Sequence, residues 1–208
     1  RHRARSRTVQ QRHAGRRWQS GGGARERDWK NIENPEGKTV FGAVVIPYRQ
    51  EGRGKRLHAE CLIPEAILAK TLKTTSKALA EVAYRKNLLG SIAANAQGFN
   101  AHFANILASF FIATGQDVAH VVEGSLGITM FEDRDGDAYV STYLPDCPLG
   151  AVGGGTSLDT QSEALALLGV NADPEKPGHA VMRLAEIVSG VVLAGELSLM
   201  AAFTTSDL

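Results

Sequence analysis

Four groups in the 208-residue sequence could do chemistry: an acid, a lysine, an amide and a glycine-rich loop. They are Asp117, Lys86, Asn105 and the run Gly153, Gly154, Gly155 and Thr156. A carboxylate can tune the pKa of a neighbouring lysine or acid, and an ammonium group binds a carboxylate as a point charge. An amide both donates and accepts hydrogen bonds, and the backbone N–H groups of a Gly-rich loop can face an anion.

Each of these residues also has an ordinary structural interpretation. Asp117 follows Gly115 at the end of an apolar segment, where aspartate is common in turns and caps. Lys86 can be a solvated lysine at a helix end, and Asn105 a buried amide bonded to backbone. The glycine run is not the Gly-x-Gly-x-x-Gly fingerprint of dinucleotide-binding proteins, so a Gly-rich turn is the simpler interpretation. His102, three residues before Asn105, is interpreted as structural or as support for its neighbours.

The elements that must position these residues alternate irregularly between strands and helices. The apolar patterns predict strands at 39–46, 57–63, 127–132 and 138–144, and helices at 65–84, 100–113, 159–168 and 179–202. Irregular order without a βα repeat predicts an α+β fold. Residues 100–113 are apolar on all sides, which predicts a buried central helix.

The acidic run at 133–137 predicts a hairpin loop. Its spacing resembles a calcium-binding loop, but the glycine is misplaced and Leu144 stands where a bidentate Glu is needed. We therefore predict no metal site there.

Charge divides the chain into two parts. Residues 1–27 hold nine Arg and one acid, whereas the rest has more acidic than basic residues. The composition of 1–27 predicts a disordered Arg-rich arm, although such an arm can also bind nucleic-acid phosphates or serve as a targeting peptide. Residues 28–50 form a segment of uncertain assignment.

Cysteine usage and hydropathy bound the location of the protein. Cys61 and Cys147 lie far apart and form no Cys-x-x-Cys pair, which favours a reduced, cytoplasmic protein. The most apolar stretch, 187–203, carries Glu196 and is shorter than the roughly 20 apolar residues of a bilayer span. We expect no membrane segment in this chain.

Four stretches, in order and spacing, resemble the catalytic domain of eukaryotic and archaeal 3-hydroxy-3-methylglutaryl-CoA (HMG-CoA) reductases. These are NADPH-dependent enzymes of the mevalonate pathway, which leads to isoprenoids and sterols. The stretches are EGRGK at 51–55, KNLLGS at 86–91, NAHFANI at 100–106 with GQD at 115–117, and VGGGT at 152–156 with AGELSLMAA at 194–202.

The resemblance implies that residues 51–208 are a partial large domain, used in the family for substrate binding and dimerisation. It also implies the reduction of HMG-CoA to mevalonate and CoA by two NADPH, in a homodimer or higher homo-oligomer without nucleic acid. By position, Asp117 matches the aspartate that tunes the catalytic groups, Lys86 the lysine that binds the substrate carboxylate, and Asn105 an amide near the thioester. The loop of Gly153, Gly154, Gly155 and Thr156 matches the family segment that lines the nicotinamide and substrate region at the dimer interface.

The sequence departs from the family at the other catalytic groups. Residues 44–50 differ from the family segment that carries the catalytic Lys, and residues 203–208 diverge where the family continues to a catalytic His. The Glu-bearing segment and the small cofactor domain have no counterpart. We therefore expect a fragment that is inactive alone, derived, if eukaryotic, from a parent anchored in the endoplasmic reticulum with its catalytic domain facing the cytosol. The alternatives are a non-catalytic oligomerisation module and a nucleic-acid binder that uses the Arg-rich arm.

Overall fold

The computed structural model describes residues 32–33, 39–46, 54–173 and 175–205, with the backbone alone described at 32–33 and 39–46. These residues form a five-stranded sheet with helices packed against it, which confirms the expected α+β class. The expectations for the arm at 1–27 and for residues 51–53 lie outside the described residues, as does most of the segment 28–50.

The sheet is antiparallel throughout. Its strands are β1 (Ile32–Glu33), β2 (Thr39–Ile46), β3 (Lys55–Ile63), β4 (Ile128–Arg134) and β5 (Asp137–Cys147), in the spatial order β1-β2-β3-β5-β4. All four predicted strands are confirmed. Since side chains alternate between the two faces of a strand, β3 places Leu57, Ala59, Cys61 and Ile63 on the buried face.

A two-residue turn joins β4 to β5, which confirms the hairpin predicted at 133–137. Asp135 and Gly136 both have positive φ, 57° and 98°, as the Asp-Gly pair of a type I′ turn requires. The Asp133 carboxylate accepts hydrogen bonds from the Gly136 N–H and from the Ser76 hydroxyl. The hydrogen bond from Ser76 lowers the pKa of Asp133.

Seven α-helical elements lie in the described residues. They are α1 (Glu65–Ile67), α2 (Ser76–Val82), α3 (Ser91–Ala93), α4 (Phe103–Thr114), α5 (Val121–Gly124), α6 (Asp159–Leu167) and α7 (His179–Thr205). The π-helical turns Leu68–Leu72 and Ala83–Gly90 extend α1 and connect α2 to α3, and the 3₁₀ turns Val118–His120 and Gly154–Ser157 precede α5 and α6. The helices predicted at 159–168 and 179–202 are confirmed.

The single helix predicted at 65–84 is wrong, because the helix is interrupted after Leu72. Lys73 adopts a left-handed conformation with φ of 52°, which ends the first helix. Thr75 then caps α2, since its hydroxyl accepts a hydrogen bond from the Ala78 N–H. The second helix continues past Tyr84 to Ala93.

The helix predicted at 100–113 is confirmed as α4, but the prediction that it is a buried central helix is wrong. In α4 the fully buried side chains Phe103, Leu107 and Phe111 recur every four residues, so one face of the helix meets the core. Ile112 on another face is 60% exposed. Apolar composition on all sides does not ensure burial, because the described elements cover only one side of α4.

The central helix is α7, which buries ten of its 27 residues and contacts β3, β5 and α4. Within the described part of the chain it is the one helix long and apolar enough to cross a membrane by length and composition. The stretch judged too short from the sequence is thus part of a longer helix. In this structure α7 packs as a core helix against the sheet.

Candidate functional site

Lys86 lies beside the N-terminal end of α4. Its ammonium donates a hydrogen bond to the carbonyl of Ala101, with 3.4 Å between nitrogen and oxygen, and stands 5.3 Å from the centre of the Phe203 ring. Burial lowers the pKa of Lys86, and the negative charge of Glu196 opposes that shift. The lysine is therefore a half-buried cation held near the start of a helix.

Glu196 is fully buried and provides that negative charge. Its carboxylate accepts hydrogen bonds from the backbone N–H groups of Ala101 and His102, both at 2.8 Å, and from the Thr129 hydroxyl at 2.6 Å. His102 Nδ1 lies 2.9 Å from the same carboxylate. A carboxylate is rarely buried without such partners. It joins α7 to the start of α4 and to β4.

Asn105 stands on the first turn of α4, three residues after His102, and is exposed. Its amide is accessible, so it is not the buried, backbone-bonded Asn that was the alternative. Asn87, next to Lys86, is the opposite case. It is 2% exposed, and its side-chain amide has no hydrogen-bond partner among the described residues. We call Lys86, His102, Asn105 and Glu196 the Lys86 end of α4.

Asp117 lies just beyond the other end of α4. Its carboxylate accepts a hydrogen bond from the Ala119 N–H at 3.0 Å and so caps the turn Val118–His120. His120 Nε2 is 3.7 Å away, and the Asp117 side chain is 63% exposed. The geometry fits the ordinary turn-capping interpretation and leaves the carboxylate accessible to a ligand.

The glycine-rich loop lies against the turn that carries Asp117. The Gln116 side chain bonds both the N–H and the carbonyl of Gly150, at 2.8 and 2.9 Å. A Cβ on Gly115 would fall 2.3 Å from the Gly155 carbonyl oxygen, so the two backbones touch because neither residue has a side chain. We call Gly115, Gln116 and Asp117 with residues 150–156 the Asp117 end of α4.

The loop offers an open backbone surface. Gly153 and Gly154 both have positive φ, and no atom lies within 4 Å of an added Cβ at either. The Thr156 hydroxyl donates to the Gly153 carbonyl at 2.7 Å, which stabilises the turn. Residues 148–163 carry no basic side chain. The loop therefore offers open backbone and no positively charged side chain to a ligand.

The structure thus divides the predicted site residues between two places. Lys86 and Asn105 lie at one end of α4, and Asp117 with the glycine-rich loop lies at the other. A 12-residue α-helix is about 18 Å long. One copy of the chain does not bring Asp117 to Lys86.

Comparison with known proteins identifies the family. The sequence profile of the hydroxymethylglutaryl-coenzyme A reductase family matches residues 45–208. This chain belongs to that family. The family resemblance proposed from the four sequence stretches is confirmed, and the match begins six residues before the boundary expected at 51.

Curated relatives of the reductase family cover the same part of the chain. A 3-hydroxy-3-methylglutaryl-coenzyme A reductase of Methanothermobacter thermautotrophicus is 54% identical over 158 residues, which are 76% of this chain and 38% of that protein. One of Pyrococcus abyssi is 51% identical over 76% of this chain and 39% of its own length. One of the fungus Emericella nidulans is 46% identical over 76% and 38%. The chain spans less than two fifths of the length of these relatives.

Sequence reasoning missed Glu196 as a residue of the Lys86 end. It also missed Thr129, whose hydroxyl donates a hydrogen bond to Glu196. Glu196 was considered only as a charge that interrupts an apolar stretch. That position is itself a signal, because a lone acid within a long apolar helix must be paired if the helix is buried. Thr129 gave no signal, since a threonine in a strand is ordinary.

Proposed function

We propose that this chain supplies the substrate-binding part of an NADPH-dependent HMG-CoA reductase. The observation that carries the proposal is the contact of the Lys86 ammonium with the Ala101 carbonyl, just before the first turn of α4 that carries the exposed Asn105, in a chain that belongs to the family. The Lys86 ammonium spends one hydrogen on the Ala101 carbonyl, and its other donors are available to the carboxylate of a hydroxymethylglutaryl group. The exposed Asn105 amide would then meet the thioester oxygen.

The reaction of the whole protein would convert HMG-CoA, two NADPH and two protons to mevalonate, CoA and two NADP⁺. NADPH supplies hydride, and the open backbone at Gly153 and Gly154 is where its nicotinamide would lie. Asp117 is an exposed acid that follows Gly115 and Gln116, the two residues that contact the loop segment, and it would tune the protonation of catalytic groups nearby.

A second copy of the chain would complete the site. Asp117 and Lys86 lie at opposite ends of α4, so a homodimer in which the Asp117 end of one chain meets the Lys86 end of its partner would bring them together. This supports the expected homo-oligomer and the assignment of residues 51–208 to a partial substrate-binding and dimerisation domain. Because the expected catalytic Lys, Glu and His have no counterpart in this sequence, we propose that the chain alone does not turn over.

Burial of both thiols supports a cytoplasmic location. Cys61 and Cys147 are unpaired, and burial raises the pKa of each to about 12. Such thiols are inert structural residues of the kind found in reducing compartments.

Ligand binding tests the proposal without requiring turnover. Isothermal titration of the chain with 3-hydroxy-3-methylglutarate should give saturable binding that Lys86→Met weakens at least tenfold, about 1.4 kcal/mol, as expected for loss of a charge-assisted contact. Lys77→Met, an exposed lysine on α2, is the matched control and should bind as the unmodified chain does. Equal affinity in the two variants would show that Lys86 does not bind the carboxylate.

A second candidate function is a non-catalytic oligomerisation module of the same family. It is favoured by exposed apolar side chains on α3, α4 and α5, among them Ile92, Ile112 and Val122 at 59%, 60% and 69%. The two functions differ in one measurement. The module would self-associate without binding 3-hydroxy-3-methylglutarate.

A further inference from the structure

The feature that the proposed function leaves unexplained is the fully buried carboxylate of Glu196. We infer that Glu196 is a positioning residue, which fixes the place of the Lys86 ammonium and the ring orientation of His102 at the Lys86 end of α4. The inference rests on the proposed function for its consequence in substrate binding. Its geometric content can be tested without substrate.

The hydrogen bonds of Glu196 all converge on the segment that Lys86 contacts. Oε1 accepts from the His102 N–H and Oε2 from the Ala101 N–H, so the carboxylate spans two successive peptide groups. The same Ala101 residue presents its carbonyl to Lys86. The backbone of Ala101 therefore links the Glu196 carboxylate on α7 to the Lys86 ammonium on the helical turn Ala83–Gly90.

Two further contacts hold the same arrangement. Thr129 on β4 donates its hydroxyl to Oε2, which ties the carboxylate to the sheet. Phe203 lies seven residues after Glu196 on α7, a spacing that returns to the same face of a helix, and its ring is the one beneath the Lys86 ammonium. The helix α7 thus supplies both the charge and the aromatic surface that surround the lysine.

Glu196 also determines which nitrogen of His102 is available. A carboxylate accepts hydrogen bonds, so a hydrogen on His102 Nδ1, 2.9 Å away, would be donated to Glu196. The Nε2 atom is then the free ring nitrogen, and the ring is 20% exposed. In that tautomer Nε2 is a hydrogen-bond acceptor. In this way one buried acid orients both a cation and an imidazole.

A glutamine at this position would not reproduce the arrangement. The carboxylate oxygens face four donors, whereas a glutamine has one oxygen and one NH₂ group, so at least one donor would meet another donor. The compensating negative charge near Lys86 would also be lost. Glu196→Gln therefore tests both parts of the inference in a side chain of nearly equal shape.

The first experiment measures Lys86 itself. In the full chain with ¹³C-labelled lysine side chains, the Lys86 signal is assigned by its loss in Lys86→Arg, and its pKa is read by NMR titration. Within the described residues, Glu196 is the charged group that acts on Lys86, and His102 is the titratable side chain in contact with Glu196. Glu196→Gln should shift the Lys86 pKa downward, because the opposing negative charge is gone.

Two controls separate loss of charge from loss of structure. Glu186→Gln removes the same charge from a surface position of α7 and should leave the Lys86 pKa unchanged. Thr129→Val removes one hydrogen bond from the carboxylate and keeps its charge, so it should lower the melting temperature with little movement of that pKa. A Lys86 pKa that does not move in Glu196→Gln overturns the inference.

A measurement on the unmodified chain keeps the inference testable if Glu196→Gln does not fold. The ¹⁵N shifts of His102 near neutral pH report which nitrogen of the ring holds the hydrogen. We expect the Nδ1–H form. A neutral His102 in the Nε2–H form would overturn the inference.

The second experiment asks whether positioning reaches substrate binding. Glu196→Gln should weaken 3-hydroxy-3-methylglutarate binding about tenfold in the unmodified background and have no further effect in Lys86→Met, since residues that act as a unit are not additive. Equal losses in both backgrounds would mean that Glu196 acts on folding alone, which contradicts the inference. If the unmodified chain binds no ligand, the proposed function fails, and the Lys86 and His102 titrations still decide the inference.

Discussion

At the Lys86 end of α4 a carboxylate is fully buried and accepts hydrogen bonds from two backbone N–H groups, a hydroxyl and an imidazole. At the Asp117 end a carboxylate is 63% exposed and accepts one backbone hydrogen bond. The same chemical group therefore meets opposite conditions about one helix length apart. Burial of the Glu196 carboxylate costs free energy unless its hydrogen-bond donors are all present, whereas water hydrates the exposed carboxylate of Asp117.

The difference between Glu196 and Asp117 separates a carboxylate that stabilises the fold from one that is accessible for chemistry. The buried carboxylate holds three elements together, so its loss should lower the stability of the fold in addition to any effect on Lys86. The exposed carboxylate holds one short turn, so it can be altered with little damage to the fold. The contrast also predicts which substitutions in this family segment will give inactive but folded protein.

The largest expected effect is on turnover and concerns Asp117. In a full-length reductase carrying this segment, Asp117→Asn should lower kcat by a factor of about 10² to 10³, the usual cost of losing one electrostatic catalytic group. Because Asn can still accept the hydrogen bond from Ala119, the free energy of unfolding should change by less than about 0.5 kcal/mol. Steady-state kinetics and urea unfolding measure the two quantities. Full activity of the variant would leave Asp117 as a turn-capping residue only.

The next largest effect is on stability and concerns Glu196. Glu196→Leu should lower the free energy of unfolding by about 3 to 5 kcal/mol, because Ala101, His102 and Thr129 would keep buried donors without an acceptor. Glu186→Leu on the same helix should cost less than about 0.5 kcal/mol. Chemical unfolding of the two variants checks the difference. Similar losses at both positions would show that Glu196 has no special structural role.

These two residues also show how far the sequence could go. The role of Asp117 stays a prediction from its place in the Gly-Gln-Asp triplet, because only the family motif indicates it and the local pattern is that of a turn cap. The strands were predictable for a more general reason. Alternating apolar residues and the Asp-Gly pair of the β4–β5 turn are local signals that survive without tertiary information.

Except for the break at Lys73, which has a local cause, the failures depended on partners distant in sequence. Helix 65–84 broke at Lys73 because Thr75 caps a new helix there, and α4 proved half-exposed because its other side has no described element against it. The separation of Lys86 from Asp117 was also not predictable, because a motif match gives the order of residues along the chain and not the distances between them. Glu196 needed the contacts of α4 and β4 before its burial could be understood.

A third, smaller effect is expected on stability. It comes from the close approach of the Gly115 and Gly155 backbones at the Asp117 end. Gly115 and Gly169 have nearly the same left-handed conformation, with φ of 70° and 69°, but only Gly115 is crowded by another backbone. Gly169→Ala should cost about 1 kcal/mol for the conformation alone. Gly115→Ala should cost about 3 kcal/mol, because the new Cβ would displace Gly155 as well. If chemical unfolding gave equal losses in the free energy of unfolding for the two variants, the loop would move away from the new Cβ without cost and would not hold the turn of Asp117.

The smallest effect tests whether the two ends of α4 meet across a homodimer. Val122, next to the Asp117 end, and Ile92, on the helix that follows Lys86, are exposed apolar residues. If the two ends lie in one interface, Val122→Lys and Ile92→Lys should each weaken self-association about tenfold, since a charge would replace buried apolar area. Met130→Lys, at an exposed position of β4 away from α4, is the control. Sedimentation velocity over a concentration series gives the dissociation constants. A soluble monomer at micromolar concentration, or an effect of Val122 without one of Ile92, would show that the partner does not bring Asp117 to Lys86.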